Sequence, residues 1–463
     1  MLPNSPKKIL HRRIYDRLLT WKRMEQGRSA ILLEGARRVG KSTLATQFGN
    51  NEYRSFILID FSNVDEAVLD LFRTQRNDLT RFFSYLSLYF NTTLHERESL
   101  IIFDEVQFFP QARALLKHLV ADGRYDYIET GSLVSIKQNV QDILIPSEED
   151  SLELNPLDFE EFLWAMEQRP LADAIRDSYE RRVPLPQAIH RKAMELFREY
   201  MLIGGMPQPV VDYALTRDFA QADSNKKRIL SLYRKDVARF AKGYESKVLS
   251  IFDGLPGQLS KHEKRFSLAS LSKAARMREY EDSFFWLSDA RITNNCYNST
   301  DPHIGLRLDE DHTTLKCYMA DTGLLVSHAF PTRGTTDGVN SIYRDILFGK
   351  LELNEGMLVE NVVAQQLKAS GHDLFFYSRR DQTNAANTME IDFLIPAPYA
   401  NANLRLRITP IEVKSTGRYG TKSLDKFKGK FGSRVGEQVI LHPKELRVDG
   451  DKIYLPLYMA HCL

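Results

Sequence analysis

The stretch Ile31-Leu32-Leu33-Glu34-Gly35-Ala36-Arg37-Arg38-Val39-Gly40-Lys41-Ser42-Thr43 decides the fold of this 463-residue chain. An apolar run leads to Gly35, Gly40-Lys41-Ser42 follows after a four-residue gap, and Thr43 to Phe48 suits a helix. Strand, G-x-x-x-x-G-K-S, helix is the pattern of a phosphate-binding loop. Glycine lets the backbone curl so that successive N–H groups point inward at a phosphate. A helix starting near Lys41 adds the positive end of its dipole. On this pattern Lys41 reaches the β- and γ-phosphates of a nucleotide and the Ser42 hydroxyl holds Mg²⁺. The cofactors expected are therefore ATP and Mg²⁺. The contacting set is Gly35, Arg37, Arg38, Gly40, Lys41, Ser42 and Thr43.

Outward from the loop, Phe56 to Asp60 reads as a second strand, and the spacing from Val64 to Asn91 predicts helices. Ser99-Leu100-Ile101-Ile102-Phe103-Asp104-Glu105 is an apolar run capped by two acids. A buried parallel strand would deliver Asp104 to Mg²⁺ at its C-terminal edge, where ligands bind in such sheets. Glu105, next in line, is placed to polarise the attacking water as general base. Asp126 to Thr130 reads as a further strand running into Gly131-Ser132. Thr130 is the residue expected beside the γ-phosphate, with Ser132 as the alternative and an ordinary Gly-Ser turn as the structural reading. Lys137 to Leu154 is richer in acids and lacks a clear period, so it is expected to lead out of the sheet. The alternation of strands and helices requires right-handed crossovers and a parallel, helix-covered sheet.

These motifs carry a resemblance. Gly35-Ala36-Arg37-Arg38-Val39-Gly40-Lys41-Ser42 resembles the arginine-bearing phosphate loop of STAND-like and archaeal-type AAA ATPases. Asn155-Pro156-Leu157-Asp158-Phe159-Glu160-Glu161-Phe162 resembles the "PLxFxEF" segment of those proteins, and Ile203-Gly204-Gly205-Met206-Pro207 their "GGxP" loop in a helical lid. The resemblance implies that Pro207 packs on the adenine. The residues alone give only a tight turn after a helix over 193–202. Arg37 and Arg38 can pair with an acid, touch nucleotide or face solvent. Arg234 and Arg239, in a helix expected over 226–242, are candidates for an arginine finger, against a structural role for each.

Composition bounds the rest. The chain is 43% hydrophobic and 27% charged, ordinary for a globular protein. No apolar run reaches the roughly 18 residues of a membrane span, and the polar, basic start has no signal core. Three widely spaced cysteines, Cys296, Cys317 and Cys462, argue against a disulfide framework or zinc site. A reducing, cytoplasmic setting is the expectation. The net charge of +2 hides two basic clusters. Residues 1–30 carry eight Lys/Arg against two acids, and residues 414–434 carry seven against Asp425 alone. Each is either a phosphate-binding patch, for DNA for example, or a solvated face.

The middle reads as a helix-turn-helix with a hairpin. Ser267 to Met277 and Tyr280 to Leu287 are expected helices, and Arg291 to Tyr297 and Leu315 to Met319 expected strands around a polar wing. This resembles the winged helix of the same ATPases, used either for reading DNA or for internal packing. Cys317-Tyr318-Met319-Ala320-Asp321-Thr322-Gly323-Leu324-Leu325 resembles the "YxxDxGLL" segment of the domain that follows such modules.

Near the C-terminus, Glu360 lies in an amphipathic helix over 356–367, Glu390 and Asp392 in a strand over 389–395, and Glu412 and Lys414 in another from Pro410. Residues two apart on a strand face the same side, so Glu390 joins Asp392 and Glu412 joins Lys414. Asp392 and Glu412 can share a second divalent metal while Lys414 orients water. The order resembles the PD-(D/E)xK nuclease core. That resemblance implies Asp392 and Glu412 as ligands, Lys414 as catalytic lysine and Glu360 as an accessory ligand.

The expected architecture is α/β. A P-loop core spans 1–160 with a parallel sheet, a helical lid 161–245, a winged-helix-like segment 246–325, and a restriction-endonuclease-like α/β domain 326–463. The expected function is a Mg²⁺-dependent ATPase coupled to a nuclease-like, DNA-interacting domain, with oligomerisation open. The alternative is a STAND-like switch or scaffold whose C-terminal domain is inactive and binds partners.

Overall fold

The computed structural model describes residues 9–131, 148–261, 265–271, 276–330, 336–347, 355–379, 388–397 and 407–463. Two compact units divide the chain: His11–Asn155, and Pro156–Leu463 with Met1–Leu10. Among the described residues no helix is long and apolar enough to cross a membrane.

The first unit is built on five parallel strands in the order β2-β3-β4-β1-β5. They are β1 (Ala30–Glu34), β2 (Ser55–Asp60), β3 (Ser99–Asp104), β4 (Asp126–Gly131) and β5 (Glu149–Glu153). The helices are α1 (Ile14–Glu25), α2 (Lys41–Glu52), α3 (Glu66–Thr74), α4 (Leu79–Tyr89) and α5 (Pro110–Asp122). Every residue of β1, β3 and β4 is buried; the apolar runs of β1 and β3 are those of strands covered on both faces, while β4 buries Asp126, Glu129 and Thr130 as well. One face is filled by an aromatic nest in which Phe61, Phe72, Phe103 and Phe109 sit with ring centroids 5.4–5.8 Å apart.

β5 departs from the expectation that 137–154 leaves the sheet. Residues 149–153 pair with β1 along its whole length. The sequence Glu149-Asp150-Ser151-Leu152-Glu153 has one apolar residue, and only Leu152 is buried. Polar contacts hold this edge instead. Arg113 of α5, itself buried, forks onto Glu149 at 3.1 and 2.6 Å. Ser151 donates to Glu34 at 3.0 Å, and Ser29 donates to Asp150 at 2.8 Å.

The second unit begins with helices: α6 (Phe159–Ala165), α7 (Arg169–Arg181), α8 (Gln187–Ile203), α9 (Pro207–Thr216), α10 (Phe219–Phe240), α11 (Glu245–Leu259) and α12 (Met277–Asp289). The strands are β6 (Thr293–Ser299), β7 (Glu310–Met319), β8 (Phe375–Arg379), β9 (Met389–Pro396), β10 (Ile408–Val413), β11 (Gln438–His442), β12 (Arg447–Asp449) and β13 (Lys452–Pro456). Between them lie α13 (Thr322–Ala329), α14 (Thr336–Leu347), α15 (Glu355–Ala369) and α16 (Lys422–Phe431). The strands form one mixed sheet, β12-β13-β11-β10-β9-β8-β6-β7.

That sheet redraws the middle of the chain. The hairpin expected as a wing exists, with Thr293 opposite Met319, but β6 also pairs in parallel with β8, so the hairpin extends the C-terminal sheet. The helices expected as a lid, the middle segment and the C-terminal domain share one unit, so the boundaries expected at 245/246 and 325/326 fall inside it. In place of the helix expected from Ser267, a single 3-10 turn covers Leu268–Ser270, and residues 272–275 lie outside the described set. The second expected helix is α12, whose Phe284, Trp286 and Leu287 are buried.

Candidate functional site

In the first unit, Gly35 ends β1 and a Cβ there would overlap the carbonyl of Leu154. Gly40 sits at φ 101° immediately before α2, a left-handed conformation that glycine adopts without strain. Lys41 is the first residue of α2 and is buried. Its ammonium donates to the carbonyls of Gly35 at 2.9 Å and Ala36 at 3.0 Å, so it closes the loop from inside. Arg37 and Arg38 are exposed, Arg38 at φ 71°, and Thr43 is exposed too.

Placing β4 between β1 and β3 brings three expected residues together. Ser42 Oγ donates to Asp104 Oδ1 at 2.7 Å. Thr130 Oγ1 donates to the same oxygen, and accepts from the backbone N–H of Glu105 at 3.2 Å. The strand ends β3 and β4 thus share one hydrogen-bonded corner with the start of α2. Glu105 stands just past β3 in the left-handed region at φ 55°, half-buried. Its Oε2 accepts from Nε2 of Gln107 at 2.5 Å. Sequence reading missed Gln107; a polar side chain two residues after an acid in a short turn carries no distinguishing pattern. Ser132, the alternative to Thr130, lies outside the described residues.

Residues 27–163 match the family described as AAA domain. Residues 27–163 carry a P-loop ATPase domain. Further along, residues 194–333 match a domain of unknown function (DUF8612), and residues 355–460 another (DUF4143). No curated protein matches the chain. Among solved structures, a Walker-type ATPase of Pyrococcus abyssi is 16% identical, covers 70% of this chain and 97% of its own, and superposes with a TM-score of 0.41. The Aeropyrum pernix ORC1 protein in complex with DNA is 12% identical, with coverage of 75% and 96% and a TM-score of 0.26. AMPPCP-bound DnaA from Aquifex aeolicus is 13% identical, with coverage of 75% and 99% and a TM-score of 0.26. Such likenesses are too loose to carry a function across.

The ATPase domain fits the groups its loop implies. The loop carbonyls hold the Lys41 ammonium in reach, and Ser42 Oγ and Asp104 already face each other. A hydroxyl and a carboxylate are the oxygen donors that a hard divalent cation takes.

In the second unit, the three segments with family resemblance meet at one junction. Asp158 caps α6 in a reciprocal box with Glu161. Leu157 N–H donates to the carbonyl of Gly205 at 2.7 Å, and Tyr200 Oη donates to the carbonyl of Leu157 at 2.6 Å. The carboxylate of Asp321 accepts from the N–H of Gly205 at 2.5 Å and of Leu324 at 2.8 Å. A Cβ on Gly205 would overlap the Leu157 carbonyl, and one on Gly323 the Ile203 carbonyl. Gly204, Gly205 and Gly323 are therefore close-approach positions. Pro207 is the first residue of α9 and half-buried. Arg234 pairs with Asp253 at 2.5 Å, and Arg239 lies over the Phe240 ring.

The expected nuclease-type residues divide into two groups. Glu390 and Asp392 do face one side, and with Glu360 of α15 they converge on Lys316 of β7. Glu412 pairs instead with Lys414 at 2.6 Å. Asp392 Oδ2 accepts from the backbone N–H of Val413 at 2.8 Å. Burial, with Glu360 beside it, pushes the Asp392 carboxyl up to about 7 against the pull of Lys316. For Lys316, burial opposes the charged form, but the carboxylates, Glu360 foremost, win and hold its ammonium well above the usual lysine range. Among the described residues no three Asp, Glu, His or Cys side chains are grouped so as to hold a metal ion. Asp392 and Glu412, expected to share a second divalent ion, each lie beside a lysine here, Asp392 by Lys316 and Glu412 by Lys414. Lys316 carries no signature in the sequence, because a lysine inside a strand reads as an outward-facing residue.

The basic run over 422–434 is also locally engaged. α16 buries Leu424, Phe427 and Phe431 against the sheet. Around it Lys428 pairs with Asp451, Lys430 donates to Tyr377 Oη at 2.5 Å, and Arg434 pairs with Asp301 at 2.8 Å. Residues 1–8 of the N-terminal basic cluster lie outside the described residues.

Proposed function

We propose that this protein binds ATP with Mg²⁺ and hydrolyses it in the P-loop domain, as a switch-type ATPase of the AAA/STAND-like kind. The observation that carries the reading is the corner where Ser42 and Thr130 share Asp104 beside the loop closed by Lys41. Lys41 exchanges its two carbonyl partners for phosphate oxygens. Gly35 and Gly40 let the loop N–H groups of the segment through Thr43 face the phosphates, with Arg37 and Arg38 at its rim. Ser42 and Asp104 hold Mg²⁺, which when bound withdraws charge from the phosphates. Glu105, held by Gln107, accepts the proton of the attacking water. Thr130 donates toward the terminal phosphate in place of its bond to Asp104. Pro207 as an adenine contact follows from the resemblance alone. DNA and self-association are candidate partners on the same footing.

For the C-terminal domain, the reading favoured is a partner-binding module that does not cleave, because Lys316 fills its carboxylate cluster. The nuclease reading keeps one supporting observation, the half-exposed Lys414 on Glu412. Purified protein incubated with Mn²⁺ and mixed single- and double-stranded DNA separates them. Intact DNA is expected; cleavage that vanishes in Asp392→Ala supports the nuclease. The ATPase reading fails if the wild-type protein releases no phosphate from ATP under conditions where it binds the nucleotide.

A further inference from the structure

A divalent metal at the C-terminal carboxylates is what the nuclease-like order of residues implies, and the geometry there does not suit one. Lys316 Nζ lies 3.1 Å from Glu360 Oε1, 3.0 Å from Glu390 Oε1 and 3.7 Å from Asp392 Oδ1. These are ammonium distances. Mg²⁺ takes oxygens at about 2.0–2.1 Å and Ca²⁺ at about 2.3–2.6 Å, so with Lys316 in place the three oxygens stand at the spacing of an ammonium and not of either ion. The side chain of Lys316 is 0% exposed. Two of these carboxylates take further donors: Glu360 Oε1 also accepts from Tyr318 Oη, and Asp392 Oδ2 from Val413 N–H.

We propose that Lys316 is the resident cation of this cluster and occupies the place of a divalent metal, so that the C-terminal domain is metal-free by construction. Its ammonium is tethered to β7 and competes with any ion at a fixed local concentration that no buffer change alters. β7 is separated from β9 by β6 and β8 in hydrogen-bonding order. Side chains of the two strands nevertheless meet, since Tyr318 and Phe393 lie with ring centroids 5.6 Å apart. The lysine therefore does structural work that an ion would otherwise do: it joins the far edge of the sheet to β9 and α15. This inference does not depend on ATP hydrolysis, and its test reads metal binding alone.

The experiment is Mn²⁺ titration of the nucleotide-free full chain, followed by electron paramagnetic resonance of free Mn²⁺. Lys316→Met should bind one Mn²⁺ more than wild type, and Lys316→Met/Glu390→Gln should lose it. Wild type and Glu390→Gln should bind the same number. The proposal is overturned if Glu390→Gln removes an ion that wild type binds, or if folded Lys316→Met gains none. Should Lys316→Met fail to fold, the comparison of wild type with Glu390→Gln still decides between the two outcomes, because Glu390 is 35% exposed and tolerates the exchange.

Discussion

Asp104 Oδ1 accepts hydrogen bonds from the hydroxyls of Ser42 and Thr130, and this one atom organises the corner proposed for the nucleotide. Lys41 and Glu105 flank it with separable tasks. Lys41→Ala removes charge-assisted bonds to phosphate, each worth about 1.5–3 kcal/mol. ATP affinity should fall by roughly 10-fold to 100-fold or more, checked by fluorescent-nucleotide titration; wild-type affinity would remove Lys41 from the phosphate cradle. Glu105→Gln keeps the shape and hydrogen bond to Gln107 but loses the basic carboxylate. Binding should persist while turnover falls by about 10²–10⁴-fold, and unchanged phosphate release would exclude Glu105 as the base.

Among elements, the junction of α6, α8, α9 and α13 tests what the glycine loop is for. Gly205→Ala forces a Cβ onto the Leu157 carbonyl and disturbs the N–H held by Asp321. A loss of about 1–3 kcal/mol is expected, seen as a lowered denaturation midpoint of the full chain; an unchanged midpoint would mean that the loop yields freely. A second element-level test is pH. Burial lowers His442 to about 4 from its usual 6.5, and its ring is satisfied neutral between Tyr419 Oη and the Glu445 carbonyl. Between those values the unfolded chain binds the extra proton, so stability is lost as pH falls from about 6.5 toward 4, by at most about 1.4 kcal/mol per unit. His442→Gln should flatten that part of the pH dependence of urea midpoints; an equal slope in both proteins would remove His442 as its source. Elements were legible where apolar spacing wrote them. β1, β3, β4, β9 and α15 stand close to where spacing predicts them. β5 was not legible, because Arg113 and serine hydroxyls hold it rather than apolar burial. The grouping of Ser42, Asp104 and Thr130 was legible because each residue type follows from phosphate chemistry, whereas Gln107 and Lys316 occupy no motif position themselves and show their part only through the motif residues they touch.

At the scale of the whole chain, two sheets carry two kinds of charge balance. On the reading proposed above, the first unit's corner takes its cation from solution, whereas Lys316 supplies the cation of the second unit's cluster. Chelation with EDTA should therefore stop ATP turnover while leaving the thermal transition of the nucleotide-free protein unmoved. A transition that shifts downward with EDTA would show that a metal is part of the fold. The built-in cation has a consequence for synthesis on the ribosome. β7 emerges well before β9, and α15 comes between them. Until Glu360, Glu390 and Asp392 are made, Lys316 has no anionic partners to enter the interior with, so the edge hairpin cannot dock early. Closing the sheet waits on contacts far apart in sequence, a slow class of folding step. The nascent chain in that interval exposes unpaired strand edges, the condition that recruits chaperones.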